Sequence, residues 1–249
     1  MFDLDAICSR LPSRFSLAWH DRVSSTNDLA AAAAAEGAPD GTVIGAEVQE
    51  AGRGRWGRTW SAEPGRALLF SLVTRPLAEA PVVWLGPAAA LSVVHATRDH
   101  GADAVGFRWP NDVVSGSDKV AGVLIEQAGD AYVVGIGVNV SGPAWDVAPG
   151  VTAATLESLG AAVSREDLLV SILNHLSPLC DLLVSADATA LLAATSSVDA
   201  LAGRSLAIAA QGTEVEGRYA GMDERARLLL DTAAGRMAFS AGEVTRVVL

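Results

Sequence analysis

Residues 49–60 read QEAGRGRWGRTW, and within them Gly52-Arg-Gly54-Arg-Trp-Gly57 fits the spacing G-x-G-x-x-G. In a doubly wound dinucleotide fold such a run follows a strand and opens an apolar helix, whose N-terminus holds the pyrophosphate. The strand is present, because TVIGAEV at 42–48 has a strand's apolar, β-branched composition. The helix is not. After Gly57 comes RTWSAEPGR, with Pro64 and Gly65 and no apolar stripe. No acidic residue stands about twenty positions further on to hold a ribose hydroxyl; the chain there reads ALLFSLVTRP. A Walker loop is excluded as well, since no Gly-Lys-Ser/Thr follows.

What remains is a loop that alternates glycine with arginine. Glycine lets backbone N–H groups come close to an anion, and guanidinium groups bond phosphate or carboxylate in pairs. Arg53, Arg55, Arg58 and Arg66 lie close together in a chain with 18 Lys and Arg against 29 Asp and Glu. The net charge of -11 repels a polyanionic nucleic acid; the local arginine cluster is either a solvated loop or, with this glycine spacing, an anion site. A loop of this kind suits a lid over an adenylate or a phosphoryl group.

Around the loop the chain alternates strand and helix signals. A strand is expected at 16–23, then Ser24, Ser25, Thr26 and Asn27 as N-cap types before the helix LAAAAAAEG, which Gly37 stops. Strands follow at 42–48 and 67–73, a helix at 85–100, and a short strand at 105–109 stopped by Pro110. KVAGVLIEQ and AYVVGIGVNV read as two strands around the turn AGD. Ser164 with Asp167 marks the start of a helix toward Leu183, and 187–201 predicts another. From Gly203 short strands alternate with Gly, Asp and Glu turns, the pattern of a small barrel. The expected fold is therefore α/β (α+β), a mixed sheet with flanking helices, with a boundary between residues 1–202 and 203–249.

Three further stretches bear chemistry. Arg108-Trp-Pro-Asn-Asp112 gathers a cation, an aromatic ring and two oxygen-bearing side chains at a strand end. There Asp112 suits Mg²⁺ and Asn111 a phosphate or nucleotide, while the same residues also make a plain Pro-Asn-Asp turn. Lys119 begins an apolar strand, which sets its ammonium at the mouth of a pocket or at an ordinary strand edge. Gly135 and Gly137 alternate on one strand face, which marks a close approach or a bulge. The four histidines are scattered, and H-E-x-x-H, C-x-x-C and G-x-S-x-G are all missing, so a zinc enzyme or histidine-based hydrolase has no support. Cys8 and Cys180 lie far apart and indicate no disulfide framework. The N-terminal ten residues lack the apolar run of a signal peptide. The stretch 82–97 is too short and broken to span a bilayer, so the cytoplasm is the expected location.

GRGRWGRTW, RWPNDVV, KVAGVLIE and VVGIGVNV, in this order and preceded by SSTND, resemble the motifs of the biotin protein ligases. The tail AGEVTRVV resembles the end of that family's C-terminal barrel. The resemblance implies a catalytic domain related to class II synthetases, followed by an SH3-like barrel. It implies that biotin and MgATP give biotinyl-5′-AMP and pyrophosphate. The biotin then passes to one lysine of the biotin carboxyl carrier domain of an acyl-CoA carboxylase. Carried over by motif, the biotin site comprises Ser25, Thr26, Asn27, Gln49, Gly52, Arg53, Gly54, Lys119, Gly122, Gly135 and Gly137. The ATP site comprises Arg55, Arg58, Trp60, Asn111, Asp112 and Asn139, with Lys119 and Arg55 in catalytic roles and Asp112 as the metal ligand. Two positions depart from the usual pattern: Trp56 stands where a second arginine is common, and Arg108 where a lysine is common. Some members carry an N-terminal winged-helix repressor domain. With SSTND starting at residue 24 none is expected here, nor any nucleic-acid or membrane partner, and the chain is expected to be a monomer or homodimer.

Overall fold

Alternate residues of the central strands face two different helical layers, and this is why those strands are apolar throughout. The computed structural model describes residues 3–75, 82–143, 145–148, 151–210 and 212–248. A short helix α1 (Leu4–Cys8) leads into β1 (Ser16–Val23), α2 (Thr26–Ala35) and β2 (Thr42–Gln49). Next come β3 (Ala67–Thr74), α3 (Leu85–Asp99), β4 (Val105–Arg108), β5 (Asp112–Ser115), β6 (Asp118–Ala128) and β7 (Ala131–Asn139). Strands β8 (Trp145–Ala148) and β9 (Val151–Ala153) precede α4 (Arg165–Val184) and α5 (Ala188–Ser196). The chain ends in β10 (Ser205–Ala210), β11 (Thr213–Met222), β12 (Leu228–Thr232), β13 (Gly235–Phe239) and β14 (Glu243–Val248).

The main sheet has the order β1-β2-β3-β7-β6-β5-β4, with β9 attached to β6. β1 and β2 are parallel, with α2 as the crossover, and the later pairs along that path are antiparallel. This is the mixed α/β sheet that the sequence predicts. Val43, Leu72, Val134 and Ile136 turn toward the large core with α3 and α4. Their chain neighbours Ile44, Val73 and Val133 turn to the other face, where they meet Ala30 and Ala34 of α2. α2 has only ten residues, so it spans about 15 Å; its first turn reaches Gly135 through Asn27, and the sheet around Gly122 and Gly137 is left to line a cavity. The predicted site residues gather there.

α4 starts where predicted: the Ser164 hydroxyl accepts from the Asp167 N–H at 3.0 Å. By length and composition α4 is apolar enough to cross a membrane, but here Leu168, Leu169, Ile172, Leu173 and Leu176 fill the large core. The helix predicted at 187–201 ends earlier, at Ser196. Beyond it the chain extends along β4: Phe107 N–H donates to Val198 O and Ala200 N–H to Phe107 O, both at 2.8 Å. The sequence reading also missed α1, β5, β8 and β9. Each has at most five residues, too few to show a period.

The second sheet, β13-β12-β11-β10-β14, is antiparallel and consistent with the expected SH3-like unit. It is fastened to the first. The indole N–H groups of Trp84 and Trp109 donate to Glu224 O and Ala226 O, each at 2.9 Å. Tyr219 Oη donates to Asp199 Oδ2 at 2.5 Å. Burial pushes the Asp199 carboxyl up, against the lowering effect of that hydroxyl.

Candidate active site

The sheet around Gly122 and Gly137, the β2–β3 loop and edge strand β14 enclose a cavity of about 1120 Å³. Every predicted site residue lines it except Gly52. Gly52 lies behind the wall, where an added Cβ would overlap the Trp60 carbonyl oxygen. Its glycine serves the loop's own fold.

One end of the cavity is built on the N-terminus of α2, where Ser25, Thr26 and Asn27 are buried. Ser25 is the N-cap residue, yet its side chain makes no capping hydrogen bond; the hydroxyl is left for the cavity. Gln49 Oε1 accepts from Thr26 N–H at 2.8 Å and from Thr26 Oγ1 at 3.0 Å. Ser71 Oγ lies 2.6 Å from Asn27 Oδ1, and Asn27 Nδ2 donates to Glu126 Oε2 at 2.6 Å. Arg53 closes the network, 2.6 Å from Asp28 and 3.2 Å from Glu126. The hydrogen bond from Arg53 holds the Asp28 carboxyl below its usual range. Ser71 and Glu126 were missed in the sequence. A signal for Glu126 existed, because it closes the motif KVAGVLIE.

The glycines of β7 do mark close approaches, but to the protein's own side chains. A Cβ at Gly135 would overlap the Asn27 carboxamide. At Gly137 it would lie 2.7 Å from the Trp60 ring, and at Gly122 it would lie 3.2 Å from the same ring. Trp60 thus borders the glycines assigned to biotin as well as the nucleotide side. Its Nε1–H is buried without a hydrogen-bond partner among the described residues, which costs about 1–3 kcal/mol until an acceptor arrives.

The charged centre is compact. Lys119 Nζ lies 2.6 Å from Asp112 Oδ1, and Arg108 Nη2 donates to Asp112 Oδ2 at 3.0 Å. Burial pushes the Asp112 carboxyl up, but attraction to Lys119 and Arg108 outweighs it and leaves the carboxyl below its usual range. The Lys119 ammonium is also 5.6 Å from the Trp60 ring centroid. Asn139 Nδ2 donates to Lys119 O at 3.2 Å, and Asn111 Nδ2 donates to Val123 O.

The arginine loop is a narrow hairpin between antiparallel neighbours β2 and β3. An isolated bridge pairs Arg53 with Thr59, and Gly54 N–H donates to Arg58 O at 2.7 Å. Arg55 donates to Asn111 Oδ1 at 3.1 Å and to Gly242 O at 2.9 Å. Burial lowers its pKa, partly offset by Asp112 and Glu243. Arg58 pairs with Glu243 at 2.7 Å. At the tip Trp56 is 65 % exposed with φ 59°, a left-handed conformation costly for a bulky residue. Gly242 and Glu243 were not singled out as site residues, although they belong to the tail AGEVTRVV.

Seven cationic side chains and two carboxylates, Asp112 and Glu243, line the cavity, in a chain of net charge -11. None of the four histidines does. Among the described residues no three His, Cys, Asp or Glu side chains form a metal-binding group. The arrangement suits binding a carboxylate and a polyphosphate side by side under Lys119.

The model of the Biotin/lipoate A/B protein ligase family matches residues 19–142. The chain is 34 % identical over 241 residues to the biotin–[acetyl-CoA-carboxylase] ligase of Mycobacterium tuberculosis, across 91 % of this chain and 87 % of that one. A ligase of the same name from Paracoccus denitrificans is 34 % identical over 236 residues, across 90 % and 97 %. The solved structure of the biotin protein ligase from Aquifex aeolicus in complex with biotin and ATP matches with TM-score 0.82 at 27 % identity. That match covers 94 % of this chain and 98 % of the other.

Proposed function

We infer the activity from the family to which this chain belongs, the biotin/lipoate A/B protein ligases, and within it the biotin protein ligases. It is a ligase that activates biotin with ATP and transfers biotin to a lysine of a biotin carboxyl carrier domain. In the first step a biotin carboxylate oxygen attacks the α-phosphorus and the bond to pyrophosphate breaks. In the second the lysine amine attacks the acyl carbon, AMP leaves, and the amine proton passes to solvent.

The observation that carries this reading is Lys119, held by Asp112 in the same cavity that Thr26, Gln49 and the arginine hairpin line. There its charge draws the two anionic reactants together and stabilises charge on the reacting phosphate. Ser25, Thr26, Asn27 and Gln49 supply the polar groups for the ureido ring, in a slot bounded by Gly135, Gly137 and Trp60. The orphan Trp60 Nε1–H is a donor waiting for an oxygen of the ligand. Arg55, Arg58, Asn111 and Asn139 form the nucleotide side. Arg53 holds the hairpin against Asp28 of α2 and Glu126, Gly54 closes the hairpin on Arg58 O, and Arg55 keeps water from the acyl-adenylate.

Mg²⁺ fits the donor set of one carboxylate beside amide oxygens, because this ion commonly takes one or two protein carboxylates plus substrate phosphates. Asp112 would be that carboxylate, and the ion would offset charge on the triphosphate. We assign residues 1–202 to a catalytic domain and 203–249 to the SH3-like unit, and place the reaction in the cytoplasm. The test is mass spectrometry of a carrier domain incubated with chain, ATP and biotin. One biotin added at its acceptor lysine is expected. An unmodified domain, or one modified as well by lipoate, would contradict the substrate assigned.

A further inference from the structure

The tip of the arginine hairpin carries a residue that its backbone does not favour. Arg58 N–H donates to Arg55 O at 3.2 Å, which makes Trp56 and Gly57 the central residues of a tight turn. Trp56 has φ 59° and ψ 29°, and Gly57 has φ 72°. Positive φ at both positions marks a type I′ turn, a hairpin loop that prefers Asn, Asp or Gly at its first central position. Gly57 suits its place; Trp56 does not. A bulky side chain there is strained, and because the ring is largely exposed, burial does not offset the strain.

What the ring meets is Arg55. The guanidinium carbon lies 5.1 Å from the Trp56 ring centroid, within the range of a cation–π contact. Arg53, Arg58 and Lys119 each meet a carboxylate directly. The hydrogen bonds of Arg55 go instead to two neutral oxygens, Asn111 Oδ1 and Gly242 O. Among the described residues no carboxylate lies within ion-pair distance of it. The negative face of the indole therefore adds an attraction that no carboxylate supplies.

We propose that Trp56 is a positioning residue that acts through Arg55: its ring holds the guanidinium in place in the lid and so lengthens the time for which the acyl-adenylate is retained. The proposal rests on the adenylation reading above. An exposed tryptophan can also anchor a protein partner. Here the ring is set against Arg55 and lines the cavity with it, which favours the lid.

The test follows release of chemically prepared biotinyl-5′-AMP from the full chain by stopped flow. Melting temperature and the KM for acceptor are measured on the same samples. Trp56→Leu keeps an apolar side chain without a ring, Trp56→Phe keeps a ring, and Trp56→Asn suits the turn without one. Trp56→Leu is expected to release the adenylate about two- to fivefold faster, the worth of one exposed cation–π contact. Trp56→Phe should lie between it and the wild type. Trp56→Asn should melt at least as high as the wild type yet release as fast as Trp56→Leu, which a merely structural role would not produce. In an Arg55→Met background Trp56→Leu should change nothing further. Wild-type release from both Trp56→Leu and Trp56→Asn overturns the proposal, as does an effect that persists undiminished without Arg55. A change confined to the KM for acceptor would make Trp56 part of a docking surface and overturns it too. Retention of the supplied adenylate by a wild-type chain that makes none from biotin and ATP would sink the adenylation reading alone.

Discussion

Arg58 of the hairpin between β2 and β3 pairs with Glu243, the first residue of β14, at 2.7 Å. Together with the Arg55 bond to Gly242 O, this pair clasps the arginine loop to the second sheet. The Arg58 side chain is 61 % exposed, so solvent screens the pair and its worth is about 0.2–1 kcal/mol. Glu243→Gln should therefore release biotinyl-5′-AMP only about 1.4- to fivefold faster. Stopped-flow dissociation of the adenylate measures this, and an unchanged rate would show that the clasp has no part in retention.

Arg55 is more deeply buried, and its two hydrogen bonds join Asn111 to Gly242. Arg55→Gly removes both and adds a flexible residue to the loop. Adenylate dissociation should rise about tenfold or more, since each bond is worth about 0.5–1.5 kcal/mol. Adenylate retained as tightly as in the wild type would remove Arg55 from the lid.

Much of the site was legible because its motifs are local. The loop read as an anion-binding lid, whereas Arg108–Asp112, Lys119 and the β7 glycines each kept a plain structural alternative until the order of the motifs and their resemblance to the biotin protein ligases singled them out. Tertiary partners were not legible. Nothing within KVAGVLIE says that Glu126 receives Asn27 and Arg53 from two other segments. Gly135 signalled a close approach correctly, but not that Asn27 makes it. The helix predicted at 187–201 ends early because the free edge of β4 captures 198–200, a pairing invisible to local propensity.

Lys119→Ala should keep the fold, because Asp112 retains Arg108. Removing the charge that faces the reacting phosphate should slow adenylate formation about 10²–10³-fold. A single-turnover assay beside a thermal melt separates the two effects. Near-normal adenylation in a folded variant would contradict the role given to Lys119.

Gly135→Ala would drive a methyl group into the Asn27 carboxamide and disturb its bonds to Ser71 and Glu126. Such overpacking costs about 1–3 kcal/mol. A lower melting temperature and a higher KM for biotin are expected together. A variant with wild-type stability and biotin KM would show that the network yields without consequence.

Asp199 gives a pH dependence. Burial raises its folded-state pKa above the unfolded value of about 3.9. The native state therefore binds more protons than the unfolded state in the window above that value. The stability this group contributes is fully present below about pH 3.9 and is lost as pH rises through the folded pKa. Asp199→Asn should thus gain stability relative to the wild type as pH rises from about 4 toward 7. Urea unfolding at both ends measures it, and a constant difference would contradict the raised pKa.

The most direct test of the central claim, that this chain adenylates biotin, is exchange of labelled pyrophosphate into ATP with biotin, lipoate or octanoate as the acid. The account predicts exchange with biotin and Mg²⁺, and none above background with the other two acids. Exchange with lipoate or octanoate instead, or with no acid at all in a folded sample, would contradict it.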